Sequence, residues 1–442
     1  MYANTEAAAL FERALAAARK LPDLEKSDVA GVWEKLGEVR EGGGVYDGAL
    51  RAYRSARRLL RGDPASEAKL LLKEAWIPER VGRHREAVRA LRKGLTVLES
   101  ATGNEADQQR AEIYAAYAAM RQTQGRYREA IEWCEKAIEL ARASGSRKGE
   151  AHALYILDWA WASIGQFEHA THSDLALEIY AELGDLTGEA CALQNLGGFA
   201  YYQGRWDEAV DLYERARDAR MRTGNEVDAA MGTDNIAEVL ADQGHYGAAE
   251  QHLHETLRVW RAVGDRGGIA FARGLLGRVA ARTGRFDEAH GHFEAARTEY
   301  AESGLEADSR EVDGRIAECL VLEGRTGEAL ALADVTLGVS AQEDQNPPDA
   351  PLLQRVRGYA LLQSGDVVAA REAFEASIES GRARDADYEV ALTMVALARL
   401  AALEGDAATA ARLETESSTL LERLGVLSLP EVPLPSARNQ RS

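Results

Sequence analysis

In the stretch RWDEAVDLYERARDARMRTG, the apolar and small residues are Trp206, Ala209, Val210, Tyr213 and Ala216, with charged residues between them. Steps of three and four put all five on one face of an α-helix. The pattern returns along the whole chain, each time behind a glycine. The copies read GGVYDGA, GRHREA, GRYREA, GQFEHA, GRWDEA, GHYGAA, GRFDEA, GRTGEA, GDVVAA and GDAATA. The turn glycines are Gly44, Gly82, Gly125, Gly165, Gly204, Gly244, Gly284, Gly324, Gly365 and Gly405, spaced by 38, 43, 40, 39, 40, 40, 40, 41 and 40. Alanine stands five places after each of them. A fixed period of this size marks a stack of repeats, not a set of independent domains.

A second series of glycines falls between the first: Gly62, Gly103, Gly145, Gly184, Gly224, Gly264, Gly304 and Gly381. Each unit is therefore expected to hold two helices and two kinds of turn. Glycine suits a helix C-terminus because it takes positive φ without strain. Seven places before the turn glycine the side chain is small in nine copies: Gly37, Ala75, Ala118, Gly197, Ala237, Gly277, Ala317, Gly358 and Ala398. Close crossing of two helices needs that. Asp158 holds this place in the tenth copy.

Composition agrees. Among 442 residues there are only 9 prolines against 40 glycines, and hydrophobic residues make up 46%. That favours an all-α, folded chain. The net charge of −19 repels phosphate backbones, which argues against nucleic acid as a partner. No run of apolar residues is long enough to span a membrane, and the first twenty residues are no signal peptide. Cys134, Cys191 and Cys319 are far apart and suit reduced thiols in a cytoplasmic protein.

Trp33, Leu36 and Gly37, followed by Tyr46, Ala49, Tyr53 and Ala56, resemble the signature of the tetratricopeptide repeat. The resemblance implies a right-handed solenoid of about ten 40-residue helix–turn–helix units over residues 21–425, in which each repeat buries its apolar face on its neighbours. Several stretches, among them CALQNLGGFAYYQGRWDEAVDLYERARDARMRTG and LERLGVLSLPEVPLP, are similar to the C-terminal repeat region of actinobacterial class III adenylate/guanylate cyclase–ATPase signalling proteins. That similarity implies a non-catalytic scaffold for a protein or extended peptide, working with upstream ATPase or cyclase domains. The alternative is the effector-sensing repeat domain of a bacterial transcription activator. Upstream, a cyclase domain would favour the first and a helix-turn-helix segment the second.

Residues 1–20 fit the second helix of a repeat, with Ala7, Phe11 and Ala14 at the spacing of Ala209, Tyr213 and Ala216. A half-repeat there is expected to act as a cap or to continue a longer array. Residues 426–442 are expected to form a proline-containing cap and tail, with Leu427, Leu429 and Val432 covering the last helix pair, Pro430, Pro433 and Pro435 extending the chain, and 436–442 frayed. Ser340 to Pro351, holding Pro347 and Pro348, is expected to be the longest irregular connection.

Catalytic signatures are missing: no phosphate-binding loop, nucleophile elbow or zinc helix motif occurs, and no cofactor is expected. His252/His254 and His290/His292 diverge around a helix; His169 and His172 could share a face but lack a third ligand, so no metal site is assigned. The copy around Gly165 is irregular. Asp158 replaces a small residue and Asp174 replaces the aromatic found at Tyr213 and Phe293. With Trp159 and His172 these define a candidate polar pocket, set against the plainer reading of a shifted register with its hydrogen bonds satisfied. The tetratricopeptide resemblance further implies that positions nine and ten before the turn glycine face a concave groove. They include Tyr155, Gln194, Asn195, Asp234, Asn235 and Arg315. Asn195 and Asn235 match one another in successive repeats, and an amide can both donate to and accept from a peptide backbone. Arg278 and Arg315 are candidates for a guest carboxylate.

Overall fold

A computed structural model describes residues 2–21, 23–343 and 347–434. The chain opens with α1 (Tyr2–Ala18) and continues as ten helix pairs. These are α2/α3 (Lys26–Gly42, Tyr46–Leu59), α4/α5 (Pro64–Arg80, His84–Leu98), α6/α7 (Asn104–Thr123, Tyr127–Ser144) and α8/α9 (Arg147–Ser163, Ser173–Leu183). They continue with α10/α11 (Leu186–Tyr202, Trp206–Arg222), α12/α13 (Glu226–Gln243, Tyr246–Val263) and α14/α15 (Arg266–Arg282, Phe286–Ser303). The last are α16/α17 (Glu306–Glu323, Thr326–Glu343), α18/α19 (Ala350–Gln363, Val367–Arg382) and α20/α21 (Asp387–Glu404, Ala407–Arg423). The described residues contain no strand, and none of their helices is long and apolar enough to cross a membrane.

The repeat grammar has a direct physical content. All ten turn glycines take φ between +69° and +89°, a region costly for any residue with a Cβ. The small residue seven places earlier meets the residue nine places later. Where it is glycine, an aromatic ring comes up against the helix backbone: Tyr53 at Gly37, Tyr213 at Gly197, Phe293 at Gly277 and Phe374 at Gly358. A Cβ at those glycines would come within 2.3–2.7 Å of the ring. Where it is alanine, the partner place holds a smaller side chain, as at Leu91, Cys134, Leu253 and Ala333. The ring occurs only opposite glycine, where the missing side chain leaves room for it. Several first helices are capped by the residue before them; Asp185 and Asp265 accept from the N–H of Gly188 and Gly268 at 3.0 and 2.9 Å.

Three expectations change. Gly381 is not a turn glycine: it lies inside α19 against Val390, and the positive φ falls on Asp385. The connection expected from Ser340 is shorter, because α17 runs on to Glu343 and α18 starts at Ala350. Repeats also touch more than their neighbours. Asn4 Nδ2 donates to Gly224 O at 2.7 Å, Arg80 pairs with Asp228 at 2.5 Å, His84 Nε2 meets Ser303 O at 2.7 Å, and Arg384 donates to Ala162 O at 3.3 Å. The superhelix winds tightly enough that repeats four or five places apart pack together, which a purely one-dimensional stack does not do.

After α21 the chain turns at Gly425 and runs back along the inner surface. Leu427 N–H donates to Gln243 O at 2.9 Å, and the Gln363 amide donates to Pro433 O at 2.9 Å. Leu429 and Val432 lie with Arg282 of α14, Val321 of α16, Tyr359 of α18 and Leu392 of α20, and Val432 is buried. Leu427 is 70% exposed. The segment thus crosses earlier repeats instead of covering only the last pair. Pro435 and residues 436–442 lie outside the described residues.

Candidate functional site

The even-numbered helices line the inside of the superhelix, and their repeat period sets charges one above another. Glu238 and Asp242 on α12 face Arg278 and Arg282 on α14, followed by Arg315 and Glu318 on α16, Arg355 on α18 and Glu389 on α20. Arg278 pairs with Asp242 and, at 3.3 Å, with Glu238; Arg282 meets Asp242 at 2.7 Å. Arg355 bridges Glu318 and Glu389 at 2.8 and 2.9 Å. The Tyr201 hydroxyl donates to Asp242 at 2.6 Å. Burial alone would raise the Glu318 carboxyl, but Arg355, Arg282 and Arg315 hold it well below the usual range. Burial pushes Glu238 up to about 7 although Arg278 opposes it.

Beside this ladder is a cavity of about 830 Å³. One wall is aromatic: Tyr127, Trp159, Phe199, Tyr201, Tyr202, Trp206 and Tyr388 line it. Trp159 stacks on Phe199 with ring centres 5.9 Å apart, and Tyr201 on Trp206 at 6.0 Å. The other wall holds Glu238, Arg278, Asp308, Glu311, Arg315 and Glu389. Burial, with Glu311 beside it, pushes Asp308 up to about 7. Arg278 Nε and Arg315 Nη1 are buried without a hydrogen-bond acceptor among the described residues. Near neutral pH the site therefore offers guanidinium N–H groups, two carboxyls close to protonation, and a broad aromatic face.

The sequence-predicted residues divide. Arg278, Arg315 and Trp159 share this cavity. Tyr155 does not line it; it packs between the rings of His152 and Tyr180 at 5.5 and 6.5 Å. Asn195 spends its Nδ2 on Tyr155 O at 2.7 Å, and Gln194 accepts from Arg220. Asp234 is buried, accepts from Thr256 and from Trp260 Nε1 at 2.7 Å, and is pushed up to about 7 by burial, so it is no groove-facing carboxylate. Asn235 is half-buried and makes no hydrogen bond with its side chain among the described residues.

The irregular repeat is held by Asp158. Its carboxylate, fully buried, accepts from the backbone N–H of His172 and Ser173 at 2.6 and 2.5 Å and from His172 Nδ1 at 2.8 Å. It caps α9, which starts six residues later than its counterparts, after a short 3₁₀ turn at Phe167–His169. Asp174 is exposed in the first turn of α9 and faces no partner in a helix crossing, so the expected second buried carboxylate is corrected. Asp158 and His172 make a satisfied cap, while Trp159 turns to the cavity instead. His169 and His172 do not share a helix face, and among the described residues no cluster of His, Cys, Asp and Glu has metal-site geometry. Most of the aromatic wall was missed in the sequence; the run Phe199, Tyr201, Tyr202 before a turn glycine, repeated by Trp206 after it, is the signal that pointed there.

Models of the tetratricopeptide repeat match residues 228–298, residues 114–148 and 192–226, and residues 275–347 and 339–387. No curated protein matches the chain in sequence. Similar solved structures include a Rap protein complexed with competence and sporulation factor, at 15% identity over 90% of this chain and 99% of that one, with TM-score 0.39. The apo form of RapI follows at 13% identity, 80% and 98% coverage and TM-score 0.47. A signal transduction ATPase with numerous domains and a tetratricopeptide repeat sensor, from Pyrococcus horikoshii, gives 13% identity, 82% and 54% coverage and TM-score 0.44. These are loose similarities of architecture.

Proposed function

The chain belongs to the tetratricopeptide-repeat proteins, and from that premise we propose that it is a non-catalytic cytoplasmic scaffold that takes an extended polypeptide guest on its inner surface. One observation carries this reading. The chain's own segment after α21 already lies there in extended form, with the Gln363 amide on the Pro433 carbonyl. Amide-to-backbone contact was expected of Asn195 and Asn235; here Gln363 makes it. Of the two asparagines, Asn235 has its amide uncommitted, while Asn195 has its oxygen left to accept. A guest carboxylate suits Arg278 Nε and Arg315 Nη1, and guest side chains suit the aromatic wall. The enzyme that such a scaffold reports to is, in this proposal, a bacterial cyclase–ATPase signalling protein, as the sequence similarity implies. The cavity's volume and its aromatic and charged walls give the second reading its support: a small effector or short peptide, as in the sensing domain of a transcription activator, would sit between those walls.

The test uses the full chain carrying Val432→Glu, which lifts the C-terminal segment. A labelled peptide of residues 426–434 is titrated against it. Saturable binding is expected, weakened several-fold and up to about ten-fold by adding Gln363→Ala, since one hydrogen bond is worth about 0.5–1.5 kcal/mol net. No binding by a chain whose helicity is intact would defeat the peptide reading. For a guest that ends in a carboxylate, affinity should rise as pH falls from about 8 to about 6. Glu238 and Asp308 gain their protons through that window, which removes two negative charges from the cavity wall that would repel the guest. A flat or opposite pH profile for such a peptide would remove Arg278 and Arg315 from the site. Purified chain should turn over neither ATP nor GTP.

A further inference from the structure

Charge is distributed very unevenly along this chain. Residues 1–100 carry 19 Lys and Arg against 15 Asp and Glu, whereas the other 342 carry 34 against 57. The acidic body thus has one basic end. Within that end, Arg51, Arg54 and Arg58 on α3 and Arg61 in the turn after it stand at steps of three, four and three, one stripe along the outer face. The stripe faces Arg19, in the turn after α1, across a cavity of about 560 Å³ that is floored by Leu15, Trp33 and Leu36. Seven arginines and one carboxylate, Glu12, line it.

The arginines are unequal in their commitments. Arg40 is taken by Glu12, and Arg57 by Glu74 at 2.6 Å and Glu67 at 3.3 Å. Arg54 reaches Glu74 only at 3.8 Å. Arg58 donates to the Ser55 hydroxyl at 3.1 Å. Among the described residues, Arg19, Arg51 and Arg61 have no acidic partner. Like charges at these helical spacings work against the helix, so the stripe costs stability without a ligand. A concave site of one sign also focuses its field outward.

We infer that this pocket binds a compact polyphosphate anion. One carboxylate would answer one guanidinium; four or five arginines around a space of this size need several negative charges carried close together, and a chain of phosphates supplies them. The guanidinium fork matches phosphate oxygens two at a time. The site lies on the outer surface at the N-terminal end, away from the inner cavity, so its fate is independent of the guest proposed there.

The experiment is calorimetric titration of the full chain with inorganic tripolyphosphate, without metal and at fixed ionic strength, alongside thermal melting. Saturable binding and a raised melting temperature are expected. Arg51→Gln with Arg58→Gln should weaken binding at least ten-fold while the ligand-free melting temperature holds or rises. Arg19→Gln, in the turn after α1, should weaken it separately and leaves α3 untouched. Metal-free ATP in a parallel titration distinguishes the source: tighter binding than tripolyphosphate assigns the site to a nucleotide whose base rests on the apolar floor, and equal or weaker binding assigns it to the phosphate chain alone. Unchanged affinity in both variants, the same melting shift from chloride at equal ionic strength, or tighter binding of a poly-glutamate peptide would overturn the proposal.

Discussion

Gly197 and Asp158 occupy the same place in adjacent repeats and solve the same problem in opposite ways. Each must let a second helix come close. At Gly197 the missing side chain leaves room for the Tyr213 ring, which is 4% exposed and rests on the helix backbone. At Asp158 a carboxylate fills the space and reaches the open N–H groups that begin α9. The first joint is apolar and depends on volume. The second is polar and depends on acceptor geometry, so it can only be made where the second helix starts late. The contrast teaches that the repeat prescribes a distance between helices and leaves the chemistry of the joint free.

The largest effect is expected at the apolar joint. Tyr213→Ala removes a buried ring and leaves a cavity, which should cost about 3–5 kcal/mol in urea unfolding. A loss below about 1 kcal/mol would mean that the glycine–ring contact is incidental. The polar joint comes next. Asp158→Ala leaves the N–H groups of His172 and Ser173 without their acceptor, and hydrogen bonds to a charged group are worth about 1.5–3 kcal/mol each, partly regained through water. A net loss of about 3 kcal/mol is expected, with hydrogen exchange at Ser173 accelerated. Writing the regular grammar into this repeat, as Asp158→Gly with Asp174→Tyr, should not recover that loss, because Asp174 lies on the exposed side of α9. Recovery would show that sequence spacing governs this joint after all.

A smaller effect sharpens the volume argument. Gly197→Ala puts a Cβ at 2.6 Å from the Tyr213 ring. Overpacking of about 1–3 kcal/mol outweighs the roughly 1 kcal/mol gained in helix propensity, so a net loss of about 1 kcal/mol is expected. Gly274 in α14 has nothing within 4 Å of a built Cβ, and Gly274→Ala should instead stabilise by about 0.5–1 kcal/mol. Thermal melting of the two variants should shift in opposite directions.

The regular joints were legible because they recur. Ten turn glycines, ten alanines behind them and nine small residues ahead of them announce the helix pairs, and the pairs form where that spacing places them. The turn-to-turn contacts were not legible. Arg80 and Asp228 are 148 residues apart, and nothing in either repeat signals that the winding brings them to 2.5 Å. The site suffered for the same reason. Position within the repeat pointed Arg315 to the inner wall, but burial of Asp234 against Trp260 and the return of the chain across Gln363 depend on pitch. Pitch is set by many small packing choices, and no single residue spells it. At Asp158 the sequence flagged an exception; whether the exception was a pocket or a cap depended on where α9 begins, which three hydrogen bonds decide.

The smallest expected effect separates those three bonds. His172 adds one side-chain contact, Nδ1 to Asp158 at 2.8 Å, to the two made by backbone N–H groups. His172→Ala keeps both backbone bonds, and the half-buried ring leaves little packing behind. The loss should be about 0.5–1.5 kcal/mol, well under that of Asp158→Ala. In a double-mutant cycle, His172→Ala should cost almost nothing once Asp158 is already alanine, since the carboxylate its ring bonds to is gone. If the two losses simply add, the histidine is held by something other than this carboxylate, and the polar joint reduces to the capping of α9 by Asp158 through the backbone alone.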